Sequence, residues 1–262
     1  MRRGTWIGAA AVVAVLGLSG TAQAQSYSWN GVYIGVEGGA GNGRSDWNFL
    51  GNNGDQGVKG NNPNHLFIAN TNPGGPEDPG LPGGLFGGHV GYMHQTDGLV
   101  IGIDGSWDWS NFKGKSVDNQ NTNPPDAVEV DVKSVATLNG RLGVANGRWL
   151  AYATGGVAFG AVDAKESGGC SNLANCTTFL NEGSFNRTGW DAGAGIAYAI
   201  TDSLILGAEY KHVDLGTSDQ DLHDANPKSF FFETVRVHPE LDTIEARLSY
   251  KFGGDRAPAP LK

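Results

Sequence analysis

Leu99-Val100-Ile101-Gly102-Ile103-Asp104-Gly105-Ser106-Trp107-Asp108-Trp109 changes character at nearly every step. Leu99, Ile101, Ile103, Trp107 and Trp109 share one parity; Gly102, Asp104, Ser106 and Asp108 share the other. Successive side chains of an extended chain point to opposite sides, so a period of two makes a β-strand with one apolar and one polar face. A helix would scatter both kinds around its circumference.

The same pattern recurs on either side of this stretch. From Val32 to Ala40, Val32, Ile34 and Val36 oppose Tyr33, Gly35 and Glu37. From Leu85 to Gln95, Phe86, Val90 and Tyr92 fall together. Val130 to Ala145 sets Val132, Ala136, Leu138, Leu142 and Val144 against Asp131, Lys133, Thr137, Asn139 and Arg141. Trp149 to Val162 is apolar and small on both faces, which leaves its orientation open. Thr188 to Ile200 opposes Trp190, Ala192, Ala194, Ile196 and Tyr198 to Gly189, Asp191, Gly193 and Gly195. Leu204, Leu206, Ala208 and Tyr210 then face away from Gly207, Glu209 and Lys211, and Ile244, Ala246, Leu248, Tyr250 and Phe252 away from Glu245, Arg247, Ser249 and Lys251.

The punctuation between these segments alternates. Thr96-Asp97-Gly98, Asn146-Gly147-Arg148 and Thr201-Asp202 are tight turns. Gly43 to Gly83, the stretch ending near Ala127, the cysteine region and Asp214 to about Pro239 are long polar loops rich in turn-forming residues. In a closed antiparallel barrel, odd and even connections lie at opposite rims. Long loops at one rim and short turns at the other are the arrangement of an outer-membrane barrel, and a soluble sandwich has no need of it. The expected fold is therefore all-β, an eight-stranded antiparallel up-and-down transmembrane barrel.

Composition agrees. The chain holds 42 glycines in 262 residues. Each would cost a helix about 1 kcal/mol against alanine, whereas curved, crowded strands use glycine for close backbone approach. The net charge of −9 argues against a nucleic-acid partner.

Alternation alone does not say which face points inward, since a soluble ligand-binding barrel turns its apolar face to the axis. The aromatics near strand ends on the apolar face (Tyr92, Trp107, Trp109, Trp190, Tyr198, Tyr210, Tyr250 and Phe252) suit lipid headgroup level. The opposite face carries Glu37, Asp104, Arg141, Asp191, Glu209, Glu245 and Arg247 among glycines. These charges are read as a pairing network across a narrow lumen, because a buried unpaired charge is expensive. About eight strands enclose only enough space for side chains, so no broad channel is expected.

Arg2 and Arg3, the apolar run Ile7 to Leu18 and Ala22-Gln23-Ala24 together form a signal peptide, residues 1–24. The run is too short for a spanning helix, which needs roughly 20 residues. Residues 25–252 are then the barrel and 253–262, rich in Pro and Ala, a disordered tail. After export, Cys170 and Cys176 would meet an oxidising compartment. They read as a disulfide pinning one loop for roughly 2 kcal/mol, the alternative being two free thiols.

Sites for chemistry are sparse. His65, His89, His94, His212, His223 and His238 show no ligand spacing, and Asp219, Asp221, His223 and Asp224 lack a calcium-loop pattern and read as a solvated loop. Ser203, Glu209 and His212 sit on one strand, but Ser203 and His212 lie too far apart along it to form a nucleophile–base pair. Neither a catalytic site, a metal nor a cofactor is expected.

Several pieces resemble a known family: Trp29-Asn30-Gly31-Val32-Tyr33-Ile34-Gly35, Gly140-Arg141-Leu142-Gly143, the run Tyr152 to Gly160, Gly189-Trp190, and Glu209 to Gly216. Together they are similar to the small outer-membrane immunogenic or opacity-like barrels, of porin-family type, found in alphaproteobacteria. The resemblance implies an eight-stranded barrel of structural, antigenic or adhesive role in the bacterial outer membrane. Its partners would be outer-membrane lipid and lipopolysaccharide, the assembly machinery and a host or environmental surface ligand. Because some relatives bind haemin, the alternative is a barrel for haemin or small-solute binding and uptake. One departure stands out: the family chain ends at an aromatic residue, whereas Phe252 here is followed by about ten more.

Overall fold

A computed structural model describes residues 27–52, 79–118, 126–168, 179–224 and 232–253. The signal peptide, Cys170, Cys176, His65 and the tail beyond Gly253 lie outside the described residues. The strands are β1 (Gly31–Asn52), β2 (Gly80–Thr96), β3 (Leu99–Asp118), β4 (Asp126–Asn146), β5 (Trp149–Gly168), β6 (Phe179–Ala199), β7 (Leu204–Asp214), β8 (Ser218–Asp224) and β9 (Phe232–Lys251). From β1 to β7 sequential neighbours pair antiparallel, β9 pairs antiparallel with both β7 and β8, and β1 closes on β9 from Tyr33↔Lys251 upward.

Nine segments make eight walls. β7 pairs with β9 as far as Asp214↔Glu240, and β8 resumes in the same direction at Ser218↔Val237. The break holds one residue more than β9 does, and Gly216 turns it with a φ of +68°, a conformation costly for residues with a Cβ. Asp214 accepts the Gly216 amide at 2.7 Å, locking the turn.

This corrects the expected loop from Asp214 to about Pro239, including the reading of Asp219, Asp221, His223 and Asp224 as a solvated loop. They lie on β8, where Arg236 Nε and Nη2 donate to Asp219 at 2.7 and 3.0 Å and Thr234 donates to Asp221 at 2.7 Å. The other strands also run beyond the period-2 segments at the long-loop rim. The expected loop from Gly43 to Gly83 loses its ends to β1, which reaches Asn52, and to β2, which starts at Gly80.

These extensions were hidden because the alternation changes its chemical sense. In the lower zone the outward face is apolar, with Ile103 53 % and Ile244 69 % exposed. Steps of about 3.3 Å from Leu99 to Trp109, tilted by about 40°, give this zone a height of roughly 25 Å, that of an outer-membrane apolar band. Above it the faces exchange roles. Trp47, Leu81, Phe112, Val128, Val130, Val132, Val235 and Val237 fill the axis, while ion pairs such as Lys113–Glu129 (2.7 Å) and Lys165–Glu182 (3.4 Å) cover the outside.

On β4 the exchange is made by a slip of parity. The register with β5 passes from Val132↔Val162 to Ser134↔Ala161, so Lys133 is an extra residue. Thr137, Asn139 and Arg141 point inward below the slip and Val128, Val130 and Val132 above it, while Lys133 is exposed. The expected placing of Val132 with the lipid-facing residues, and of Lys133 with the lumen, is thereby reversed. The open orientation of β5 resolves with Tyr152, Thr154, Ala158 and Val162 inward and Trp149, Val157 and Phe159 outward.

Candidate functional site

The polar side chains of the lower zone converge on Arg247 of β9. Its Nε lies 2.9 Å from Glu37 Oε2, its Nη1 2.6 Å from Glu209 Oε2, and its Nη2 2.8 and 3.1 Å from the two oxygens of Asp104. One planar guanidinium thus holds carboxylates from β1, β3 and β7, a task to which its fixed fork of donors is suited. Tyr33 donates to Asp104 at 2.6 Å and Tyr152 to Glu209 at 2.9 Å. Arg141 approaches the same two carboxylates at 3.6 and 3.7 Å and stacks 4.2 Å from the Tyr152 ring.

His89 extends the network. Its Nδ1 is 2.9 Å from Glu37 and its Nε2 2.7 Å from Ser249 Oγ. Glu245 joins a second pair, accepting from Lys211 at 2.9 Å and Thr243 at 2.8 Å. Asp191 meets no cation within ion-pair distance among the described residues, and accepts only from Asn139 at 2.7 Å. Of the charges assigned to the lumen, Glu37, Asp104, Arg141, Glu209 and Arg247 therefore form one cluster, and Glu245 and Asp191 lie outside it.

Sequence reasoning missed the parts played by Tyr33, His89, Tyr152 and Lys211. The signal was present in parity, since each shares the inward phase of a charged or small neighbour. Glycine makes room for these large side chains. A Cβ on Gly91 would lie 2.3 Å from the Tyr33 hydroxyl, on Gly35 2.5 Å from His89 Nε2, and on Gly195 2.6 Å from the Tyr152 ring. Large residues therefore lean over glycines on the neighbouring strand.

Apolar plugs close both ends. At the turn end, Tyr27 and Trp29 join Met93, Val100, Leu150 and Ile205. Trp29 Nε1 donates to the Gly147 carbonyl at 3.2 Å, and Lys251 sits 4.1 Å over the Tyr27 ring. Between this plug and the guanidinium cluster is a cavity of about 20 Å³ lined by Trp29, Tyr33, Arg141, Tyr152 and Arg247, room for about one water. At the other end, the apolar core around Phe112 and Val130 fills the axis.

The remaining candidates are dispersed. On β7 the alternation puts Glu209 inside and His212 outside, so they cannot act together. His212 bonds Asp242 at 2.9 Å beside Trp190, His238 bonds Asp214 at 2.8 Å, and His94 and His223 are exposed.

Against this geometry, the comparison with known families decides the assignment: the outer membrane protein β-barrel domain matches residues 10–252. The chain belongs to that family. This outer-membrane β-barrel is similar to the 31 kDa outer-membrane immunogenic protein of Brucella melitensis, with 30% identity over 236 residues covering 88% of this chain and 87% of the relative. It is also 25% identical over 166 residues to the 25 kDa outer-membrane immunogenic protein of Brucella abortus, covering 63% of this chain and 64% of the relative. Among solved structures it resembles the outer membrane protein OprG of Pseudomonas aeruginosa, at 10% identity and a TM-score of 0.46, over 88% of this chain and 99% of that one. The outer-membrane β-barrel is thus a protein of the bacterial outer membrane and an immunogenic-protein relative.

Proposed function

We propose that this outer-membrane β-barrel is a structural, surface-exposed protein, antigenic or adhesive in role, and neither a conducting porin nor an enzyme. The observation that supports this reading is the fixed guanidinium of Arg247, bound to three carboxylates across the lumen and flanked by apolar plugs. A solute would have to displace buried paired charges, each of which costs several kcal/mol to leave uncompensated. The lower apolar zone contacts outer-membrane lipid and lipopolysaccharide, and the assembly machinery inserts the barrel. The polar rim above that zone meets a host or environmental surface ligand.

Planar-bilayer recording on the refolded mature protein tests this. The wild type should show no unitary conductance, and Trp29→Ala alone should stay silent because Arg247 still spans the lumen. Trp29→Ala combined with Arg247→Ala should stay silent as well, because the apolar core around Phe112 and Val130 still fills the axis above them. Regular open steps from the wild type would overturn the reading. Protease shaving of intact cells should cleave at the long-loop rim, and complete protection would refute surface exposure.

A further inference from the structure

We propose that Asp214, His238 and Glu240 form a binding site for a divalent transition-metal ion of the zinc class, on the outer face of the barrel just above the upper aromatic belt. Asp214 ends β7, and Glu240 is its partner across the pair with β9. His238 stands two residues before Glu240, so both share one face of β9. The ligand atoms of all three lie within 4.8 Å of one another. His238 Nε2 is 2.8 Å from Asp214 Oδ1 and 3.8 Å from Glu240 Oε1. Zinc bonds of about 2.0–2.1 Å place tetrahedral ligands roughly 3.4 Å apart. The observed separations straddle that value, so a shift of under about 1 Å by the imidazole would seat the ion.

The surroundings hold the ligands in place. The Gly216 amide donates to Asp214 at 2.7 Å, and Arg44 grips Glu240 Oε2 at 2.6 Å while leaving Oε1 toward His238. Such outer partners orient ligating carboxylates. The imidazole makes this more than an acidic cluster, because nitrogen beside carboxylate oxygen favours zinc, copper or nickel over calcium or magnesium. Two carboxylates against one guanidinium leave the site with a net negative charge when His238 is neutral. Three protein ligands leave a coordination position for water or an anionic headgroup. The ion would staple β7 to β9 directly below the break at 215–217.

Isothermal titration of the refolded mature protein in detergent with zinc ions, free of chelator, tests the site. A Cys170→Ser/Cys176→Ser background excludes thiolate ligation. One equivalent should bind, and His238→Ala should weaken binding at least about tenfold. His212→Ala, which removes the neighbouring imidazole, should leave the isotherm unchanged. With copper(II), electron paramagnetic resonance should report a single imidazole nitrogen that His238→Ala abolishes. Heat-modifiable migration verifies that each variant is folded, and Glu240→Gln serves if His238→Ala is not. Absence of saturable binding by the parent, or an isotherm unaltered by His238→Ala or by the Glu240→Gln that stands in for it, would overturn the proposal.

Discussion

Arg247 Nη2 reaches both carboxylate oxygens of Asp104 at 2.8 and 3.1 Å, joining β9 to β3 across the lumen between residues 143 apart in sequence. This contact crosses the lumen between strands three places apart in the ring, outside its hydrogen-bonded wall. It ties together strands that share no backbone hydrogen bonds.

Replacing Arg247 by alanine leaves Glu37, Asp104 and Glu209 facing one another without their shared cation. Breaking a buried ion pair from one side costs about 3–5 kcal/mol. Urea unfolding in lipid vesicles, followed by tryptophan fluorescence, should show a loss of this size. Arg247→Lys should recover only part of it, because an ammonium cannot span the same carboxylates with a planar fork.

The glycine beneath Tyr33 should tolerate little. Gly91→Ala pushes a methyl group into the Tyr33 hydroxyl and should cost about 1–3 kcal/mol, the range for overpacking. Tyr33→Leu relieves the clash with the ring, leaving that with the Ile103 carbonyl at 2.6 Å, while losing the bond to Asp104. The double variant should therefore be less unstable than the sum of the singles, by about 0.5–3 kcal/mol of coupling. Strict additivity in the same urea assay would contradict the contact.

Position relative to the membrane should govern the outward face. Ile103→Lys places a charge in the apolar band and should cost about 2–4 kcal/mol. Lys115→Ala, on the polar exterior above, should stay within about 0.5 kcal/mol. Refolding yields and urea midpoints of both variants in vesicles would check the contrast, and equal costs would place the membrane boundary elsewhere.

Acid should loosen β8 before the rest of the barrel. Hydrogen bonds from Arg236 hold the Asp219 carboxyl below its ordinary value of 3.8. A depressed folded value means that the stabilising contribution is complete above the unfolded value and disappears as pH falls through the folded one. Amide-exchange protection along 218–223 should thus be constant above about pH 4 and decline below it, and Asp219→Asn should remove this pH dependence.

Much of the fold is legible in local pattern. The period of two in Leu99 to Trp109, the turns at Asp97 and Gly147, and the alternation of long and short connections together specify an antiparallel barrel of eight walls. The strand extensions were not legible, because residues such as Lys113, Glu129 and Lys165 break the rule of apolar side out that identified the strands below. At the site, parity put Glu37, Asp104, Arg141, Glu209 and Arg247 on one face. It could not rank Arg247 as the hub, nor separate Asp191 and Glu245 from it.

The sequence by itself determined which side chains share a face, because alternation is a property of the extended backbone and requires no partner. Tertiary structure alone decided which of them meet, since contact across a lumen depends on register between strands far apart in the chain. It also decided where inside and outside exchange, through the extra residue at Lys133 and the break at Leu215–Thr217. A single inserted residue turns every later side chain to the opposite face, and only the neighbouring strand reveals that it is extra.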